Sequence, residues 1–328
     1  MPDERAFTRE LARFFGTPPD VMVGIGDDAA VVANRGAQSV LCCDPVVENV
    51  HFTAADPPNL VGQKVVNRNL SDLAAMGAVP DWLLVSLVLP RGYPARRRRA
   101  LCNGIRAAAR RAECHVVGGD VSTHDGPLVV TVSAIGHLPG RALRRAGART
   151  GDTLHVTGPL GGSRLGHHLR FVPAIAEGVW LADEPRVHAA MDVSDGLLLD
   201  LATMLAASGG LGAEVLADAV PVSAAAKKRA RGSGARALAG ALGDGEDHVL
   251  LWSQAPGPLR AGGPLARAAR QPIGRVVAEP GLWLLRGGRR EPILPLGFRH
   301  EFGGAAPAAR PRRDGTPRRV DRRTPPPG

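Results

Sequence analysis

The sequence predicts an α/β domain over residues 1–138, an α+β domain over residues 139–304 and a disordered tail over residues 305–328. Strand-like and helix-like patterns alternate through the first part of the chain, whereas the second part follows a Pro139-Gly140 pair and mixes its patterns. The last residues are rich in proline and arginine and hold almost no apolar side chain to bury. A chain of 328 residues is long enough for two folded cores and such a tail.

The first domain is predicted to alternate strands with two amphipathic helices. A helix over residues 59–76 follows Pro57 and ends at Gly77, and its apolar residues recur at helical spacing. A second helix over residues 95–113 has apolar residues on one side and arginines on the other. Apolar runs bounded by turn residues predict the strands, which span residues 21–25, 39–43, 82–89 and 127–138.

The second domain is predicted to be less regular. A helix over residues 194–207 has Ser194 as its N-cap and stops at Gly209, and an Ala/Arg/Gly-rich region over residues 224–242 shows only a loose pattern. The predicted strands cover residues 152–157, 248–252, 281–285 and 292–294. Helices and strands mixed in this way indicate an α+β fold.

Seven aspartates lie in short segments of small residues, and several follow directly after a predicted strand. They are Asp27, Asp28, Asp44, Asp72, Asp120, Asp192 and Asp195. Carboxylates gathered at one cleft repel each other unless cations neutralise them, and Mg²⁺ prefers oxygen ligands together with substrate phosphates. The pattern therefore predicts Mg²⁺ and phosphate chemistry.

Most of these acids also have a purely structural interpretation. Gly-Asp pairs are common in turns, and Ser194 and Asp195 are residue types that cap a helix and complement its dipole. His51 is a lone histidine, which is more often structural than catalytic. Asp72 is different, because a carboxylate near the C-terminal end of a helix opposes the helix dipole unless a cation or a donor compensates it. That position favours a function for Asp72.

The sequence lacks the signals of several function classes. It contains no Gly-x-x-x-x-Gly-Lys-[Ser/Thr] loop, no protein-kinase signature and no nucleophile–base pair at a recognisable spacing. No stretch approaches the roughly 20 apolar residues that cross a membrane. The four cysteines have no metal-binding spacing, which favours reduced thiols in a cytoplasmic protein over a disulfide framework.

The net charge of +10 suggests a nucleic-acid partner, but its location argues against one. Seven arginines and two aspartates in the tail supply half of that charge. The arginines at residues 96–99 lie on a predicted helix, and the chain has a single tyrosine, so aromatic platforms for bases are scarce. Nucleic acid is therefore disfavoured as a partner, except through the basic tail.

The order of the motifs along the chain resembles that of the thiamine-monophosphate kinase family, in the superfamily of aminoimidazole ribonucleotide synthetase. The matching motifs lie at residues 26–30, 50–52, 69–78, 118–120, 191–197 and 245–247, with Asp44 between the first two. The most discriminating motif is Ser-Asp-Leu-Ala-Ala-Met-Gly-Ala at residues 71–78. The resemblance spans about residues 24–304 and includes the Gly-Phe-Arg-His ending at residues 297–300.

The resemblance implies an ATP- and Mg²⁺-dependent kinase that phosphorylates thiamine monophosphate to thiamine diphosphate by direct in-line transfer. It implies the two-domain aminoimidazole ribonucleotide synthetase-like architecture, a homodimer, ATP as co-substrate and several Mg²⁺ ions. The implied metal ligands are Asp28, Asp44, Asp72, Asp120, Asp192 and Asp195; the implied ATP contacts are Gly119, Asp120, Arg145 and Ser194; the implied substrate contacts are His51, Glu246 and Phe298. No catalytic nucleophile is expected, because phosphoryl transfer requires positioning and charge neutralisation rather than a covalent intermediate.

The sequence departs from the family pattern beside Asp44. Cys42 and Cys43 occupy metal-site positions where the family has Ser or Thr, and a thiol is a soft, poor ligand for Mg²⁺. We therefore expect any metal contact at these two positions to come from backbone carbonyls or water. Asp27 is expected to have a role in its loop rather than on a metal.

Two alternatives remain open from the sequence. One is another ATP-dependent enzyme of the same superfamily; the selenophosphate and hydrogenase-maturation types are disfavoured, since the chain has no cysteine before Cys42 or after Cys114. The other is a degenerate paralogue that binds polyanions through its basic tail.

Overall fold

The first half of the chain forms a four-stranded sheet with two long helices on one face. The computed structural model describes residues 4–23, 25, 31–32, 34–36 and 38–299. In order, the elements of this half are α1 (Glu4–Phe15), β1 (Val21–Val23), β2 (Val31–Val32), β3 (Ser39–Val47), α2 (Pro58–Ala75), β4 (Val79–Pro90), α3 (Ala95–Arg111), β5 (His115–His124) and β6 (Val129–His137). Residues 26–30, including Asp27 and Asp28, and the predicted tail lie outside the described residues.

The sheet of this half has the strand order β3-β6-β4-β5 and is mixed. β4 and β5 are parallel, whereas β6 runs antiparallel to both of its neighbours. Helices α2 and α3 pack closely, because a Cβ on Gly104 would lie 1.9 Å from the Asn59 carbonyl oxygen and one on Gly62 would lie 2.2 Å from that of Leu101. One apolar core joins both helices to the inner face of the sheet, with Leu70, among others, fully buried.

The second half is built on a seven-stranded sheet with the order β13-β12-β9-β11-β7-β10-β8. Its elements are β7 (Thr153–Val156), α4 (Ile175–Ala182), β8 (Val187–Asp192), α5 (Leu197–Ala207), β9 (Gly212–Leu216), α6 (Ala224–Arg229), α7 (Gly234–Gly243), β10 (Leu250–Gln254), β11 (Gly274–Val277), β12 (Gly281–Arg286) and β13 (Arg289–Ile293), with short 3₁₀ turns at Ser163–Leu165, His167–Leu169 and Arg267–Arg270. β9 and β12 are parallel, and the other described neighbours are antiparallel. Helix α5 packs on this sheet around a second apolar core.

The two predicted long helices are confirmed to within two residues at each end, and both halves combine helices with a sheet as predicted. The region over residues 224–242, whose sequence pattern is loose, contains two helices. Two local predictions were wrong. β5 continues through Gly119 and Asp120, although Asp120 was expected to follow a strand. Helix α5 has Gly196 rather than Ser194 at its N-cap, and the Asp200 carboxylate accepts the backbone N–H groups of Asp195 and Gly196 at 3.0 and 3.1 Å.

In the described part of the chain, no helix is both long and apolar enough to cross a membrane. All four cysteines are free, as the sequence predicted.

Candidate functional site

The structure brings together three aspartates from three different elements. Asp44 lies in β3, Asp72 in the last turns of α2, and Asp192 at the end of β8. Burial, followed by the charges of Asp192 and Asp44, raises the pKa of Asp72 to about 8. The cations of Arg68 and Arg145 oppose this shift. Three acids whose charges act on one another in this way form an electronegative site suited to a cation.

Asp192 is the most deeply enclosed of the three and is held by the side chains of Ser71 and His248. The Ser71 hydroxyl donates to its Oδ2 over 2.7 Å, and His248 Nδ1 lies 3.3 Å from the same oxygen. Burial favours the protonated form of Asp192, but the contacts with His248 and Ser71 and the charge of Arg145 outweigh it and hold the pKa of Asp192 below its usual value. Asp192 is therefore ionised in its buried position.

Asp44 is fixed by two residues of α2. Its carboxylate is 3.2 Å from the Arg68 guanidinium, and its backbone N–H donates to Asn69 Oδ1 over 2.9 Å. The Asn69 amide group in turn donates to the carbonyl oxygens of Asp44 and Val65, at 3.3 and 2.9 Å. Asn69 thereby links β3 to α2 and sets the distance between Asp44 and Asp72.

The two cysteines before Asp44 lie on opposite faces of β3. Cys42 is half-buried on the same face as Asp44, and its thiol donates to the Asn69 carbonyl oxygen over 3.3 Å. Burial, together with the charges of Asp72 and Asp44, raises the pKa of Cys42, so it remains a neutral thiol. Cys43 is exposed on the other face. Of the two side chains, only that of Cys42 faces the acids.

The two glycine-flanked acids occupy different settings. Gly119 has a φ of 151°, and a Cβ at this position would lie 1.9 Å from the Val85 carbonyl oxygen, so only glycine fits here. The next residue, Asp120, is exposed on β5, an edge strand of its sheet. Asp195 precedes α5. Burial, together with the charges of Asp192 and Asp195, raises the pKa of Asp200 to about 7. Because both charges act on the same Asp200, Asp195 lies at the same end of the second sheet as Asp192.

The remaining predicted ATP and substrate contacts lie around the loop over residues 244–249. The Ser194 carbonyl oxygen accepts the Glu246 N–H at 2.7 Å, and the Asp195 carbonyl oxygen accepts the Phe298 N–H at 2.9 Å. Phe298 is 41% exposed. Arg145 is also exposed, and its charge acts to lower the pKa of both Asp72 and Asp192.

Glu246 and His248 both have left-handed backbone conformations, with φ of 58° and 49°. Such conformations cost non-glycine residues energy and often occur at functional sites. The His248 N–H donates to the Val193 carbonyl oxygen at 2.8 Å, which helps to hold the loop in this shape. The His248 ring stacks on Phe171 with the ring centroids 4.2 Å apart. The strained loop thus directs Glu246 towards Lys64 of α2 and His248 towards Asp192 of β8.

A fully buried lysine, Lys64 of α2, connects this loop to the turn that carries His51. Its Nζ lies 2.6 Å from the His51 carbonyl oxygen, 2.7 Å from Glu246 Oε2 and 2.8 Å from His168 Nδ1. His51 Nδ1 accepts the Val47 N–H at 3.0 Å. The resemblance implied that His51 and Glu246 contact the same substrate. In the structure, both residues are hydrogen-bonded to Lys64.

Four residues of the site were not predicted from the sequence: Lys64, Ser71, His168 and His248. Lys64, Asn67 and Ser71 follow the helical spacing of three and four residues, and all are at most 1% exposed. Asn67 donates to the Phe171 carbonyl oxygen at 2.6 Å. This buried polar stripe (Lys64, Asn67 and Ser71) faces the second half of the chain. Its spacing was the available signal, but a polar stripe on a helix normally indicates a face in water.

The fold and the acidic site define a class of protein. Residues 26–138 match the model of the AIR synthase related protein, N-terminal domain, and residues 140–243 match that of the AIR synthase related protein, C-terminal domain. The two-domain architecture is therefore that of the AIR synthase related proteins.

Individual relatives narrow the class. The thiamine-monophosphate kinase of Rhodopirellula baltica is 40% identical to the chain over 312 residues, covering 90% of this chain and 94% of the relative. A solved thiamine-monophosphate kinase from Stenotrophomonas maltophilia has a TM-score of 0.71 at 32% identity, covering 85% of this chain and 95% of its own. AaThiL, solved in complex with AMPPCP and TMP, has a TM-score of 0.70 at 27% identity, covering 91% of this chain and 97% of its own. The chain belongs to the thiamine-monophosphate kinase family and is thus a phosphotransferase.

Proposed function

We propose that the chain transfers the γ-phosphoryl group of ATP to the phosphate of thiamine monophosphate, giving thiamine diphosphate and ADP. The observation that carries the proposal is the convergence of Asp44, Asp72 and Asp192 in a chain of this family. The complex of AaThiL with AMPPCP and TMP supports the same pair of substrates. In the reaction the bond from the γ-phosphorus to its bridging oxygen breaks, and a bond to an oxygen of the thiamine phosphate forms.

The donor set fits Mg²⁺. The facing groups are carboxylate oxygens, which are the ligands that Mg²⁺ prefers, and burial with the charges of Asp192 and Asp44 raises the pKa of Asp72. Among the described residues, no group of three His, Cys, Asp or Glu side chains is ready to hold an ion. Mg²⁺ commonly binds one or two carboxylates and completes its shell with water and substrate phosphates. Bound there, Mg²⁺ would neutralise charge on the phosphates; the proposed ligands are Asp28, Asp44, Asp72, Asp120, Asp192 and Asp195.

The polypeptide contributes binding and orientation. Gly119 is a proposed backbone contact of ATP, and the charge of Arg145 near Asp72 and Asp192 is placed to meet the ATP phosphates. Asp120 and Ser194 complete the proposed ATP contacts. His51, Glu246 and Phe298 are the proposed contacts of thiamine monophosphate. No side-chain nucleophile is required, because transfer between two bound phosphates proceeds in line.

A homodimer is part of the proposal. Leu41, Cys43 and Leu84 lie on the face of the four-stranded sheet opposite the helices, and Leu41 is 71% exposed. Cys43 and Leu84 both pair with Ser133 of β6, so Cys43, Ser133 and Leu84 form one row across the sheet, and Leu41 lies two residues before Cys43 on the same face. An apolar sheet face of this kind supports pairing with the same face of a second copy. We place the protein in the cytoplasm, where ATP is available and free thiols persist.

The test is direct. The purified chain is incubated with ATP, Mg²⁺ and thiamine monophosphate, and thiamine diphosphate is quantified by chromatography. Asp72→Asn serves as the matched variant, because it removes one charge and keeps the shape. We expect product from the wild type and a large loss with Asp72→Asn. A folded wild type that binds ATP and yields no product would exclude the activity.

Deleting residues 305–328 distinguishes the kinase from the alternative of a paralogue that binds polyanions through its basic tail. Kinase activity that survives this deletion would make the tail an accessory segment.

A further inference from the structure

Lys64 occupies an unusual position for a lysine. It is fully buried in the middle of α2, with 0% of its surface exposed. A buried ammonium is costly unless it is paired and hydrogen-bonded. Its three partners belong to separate segments: the His51 carbonyl oxygen, His168 of a 3₁₀ turn, and Glu246 of the strained loop. We call these four residues the Lys64 cluster.

The Lys64 cluster joins the two proposed substrate contacts. Glu246 Oε2 is 2.7 Å from Lys64 Nζ and 3.2 Å from His168 Nδ1, so one oxygen of its carboxylate is fixed from inside the protein. The Glu246 side chain is 12% exposed, so it is not sealed within the interior. The same ammonium holds the turn of His51 through its carbonyl oxygen. A single cation therefore sets the relative position of the two segments that would contact thiamine monophosphate.

We propose that Lys64 is a positioning residue for the thiamine phosphate site, and that its positive charge orients the Glu246 carboxylate and the His51 turn from within the protein. This inference rests on the proposed function, because Glu246 and His51 are the substrate contacts of that proposal. Lys64 touches neither the substrate nor the reacting atoms. Its effect is expected on substrate affinity more than on the phosphoryl transfer itself.

The charged surroundings of Lys64 make this role dependent on pH. Burial, together with the nearby cations of Arg68 and Arg164, lowers the pKa of Lys64 to about 8 against the opposing effect of Glu246. Burial acts against ionisation of Glu246, but its contacts with His168 and Lys64 hold the pKa of Glu246 well below the usual range. As the pH rises, Lys64 therefore loses its proton while Glu246 is already ionised. Raising the pH through about 8 removes the cation and leaves the carboxylate without its partner.

The first experiment compares Lys64→Met, Glu246→Gln and the double variant. Lys64→Met keeps the aliphatic stem and removes the charge. We expect it to raise the KM for thiamine monophosphate by about tenfold or more, the usual size of a lost hydrogen bond to a charged group. The KM for ATP and kcat should change much less. The increases in KM caused by the two single substitutions should be less than additive in the double variant, because Lys64 acts in part through Glu246.

The double variant also guards against misfolding. It removes both members of the buried pair and leaves no unpaired charge, so it should fold even where Lys64→Met is unstable. Binding of an ATP analogue and the melting temperature report the fold of each variant. A purely structural Lys64 would lower the melting temperature and impair both substrates alike, with additive effects in the double variant. That result would overturn the inference.

The second experiment uses pH. The wild-type KM for thiamine monophosphate should rise as the pH passes through about 8, and this rise should be absent in Lys64→Met. Comparing the two proteins removes any titration of the substrate itself. An equal rise in both would contradict the inference.

The third experiment needs no substrate. The titration of Lys64 is followed by NMR at its labelled ε-carbon in the wild type and in Glu246→Gln. Since the charge of Glu246 raises the pKa of Lys64, its removal should shift the midpoint downwards. An unchanged midpoint would overturn the inference even in an active kinase. If the midpoint shifts as expected but the wild type does not phosphorylate thiamine monophosphate, the proposed function is wrong. The positioning role, which rests on that function, would then be wrong as well.

Discussion

The Ser71 hydroxyl donates a hydrogen bond to Asp192 Oδ2 over 2.7 Å. The contact joins the α2 helix of the first half to the last residue of β8 in the second half. Ser71 is 1% exposed and Asp192 is 3% exposed, so water does not replace the contact easily. Next to Ser71 along α2 is Asp72, whose pKa is raised by burial and by the charge of the same Asp192. The junction of the two halves and the acidic site are therefore built from the same residues.

Replacing Ser71 with alanine should destabilise the protein. The change leaves a buried carboxylate with one donor fewer, at a cost of about 1–3 kcal/mol. The melting temperature should fall by several degrees. It is measured by differential scanning calorimetry at neutral pH, where Asp192 is ionised.

The matched control is Ser122→Ala, because Ser122 is exposed on β5. Exposed substitutions of this kind usually change stability by less than about 0.5 kcal/mol. Equal melting temperatures for Ser71→Ala and Ser122→Ala would show that the contact with Asp192 does not contribute to stability.

The elements of the first half could largely be predicted, because each carries its own local signal. The helix over residues 59–76 has Pro57 before it and Gly77 after it, and its apolar residues recur at helical spacing. The structure places it at Pro58–Ala75. The shorter elements of the second half, such as β9, were missed because four to eight residues hold too little periodicity to read.

The site could be predicted only in part. Asp44, Asp72 and Asp192 stand in recognisable motifs, but their partners do not. Lys64 and Ser71 look like polar positions on a solvated helix face, since a sequence does not tell that a second domain covers them. Such burial depends on contacts between residues more than a hundred positions apart, as in the pair of Ser71 and Asp192.

Cys42 and Cys43 should differ in their effect on Mg²⁺. Cys42 faces Asp44 and Asp72, whereas Cys43 faces away, so only Cys42→Ser adds an oxygen donor beside the proposed metal site. We expect Cys42→Ser to lower the Mg²⁺ concentration for half-maximal activity several-fold. Cys43→Ser is the matched control and should leave it unchanged.

A second readout for these variants is the stabilisation of the ATP-bound protein by Mg²⁺, followed as a shift in melting temperature. Ligands that bind the folded state raise its stability, and at a fixed ligand concentration the increase grows with the logarithm of their affinity. If Cys43→Ser strengthened the Mg²⁺ response and Cys42→Ser did not, the assignment of faces to the metal site would be wrong.

His155 should make the protein sensitive to acid. Burial lowers the pKa of His155 to about 4, below its value of 6.5 in an unfolded chain. As the pH falls from 6.5 towards 4, His155 binds a proton in the unfolded state but not in the folded state, so the free energy of unfolding decreases. The loss attributable to this group should reach on the order of 2–3 kcal/mol near pH 4.5.

His155→Phe removes this titration and keeps a ring that can stack on Trp252, whose centroid is 5.1 Å from that of His155. Melting temperatures of wild type and variant are compared at neutral pH and near pH 4.5. As the pH falls, the melting temperature of the wild type should decrease more than that of the variant. A difference in melting temperature independent of pH would mean that His155 is protonated in the folded state as readily as in the unfolded chain.

Leu41 should decide the oligomeric state. It is 71% exposed on the uncovered face of the four-stranded sheet, directly opposite Ile135 of β6. A glutamate at this position would bury an unpaired charge from each copy in an isologous interface formed by this face. Light scattering coupled to size-exclusion chromatography should find a dimer for the wild type and a monomer for Leu41→Glu. Leu294→Glu is the matched control, because Leu294 is 74% exposed on another part of the surface. A monomeric wild type, or a dimer that survives Leu41→Glu, would remove this face from the proposed interface.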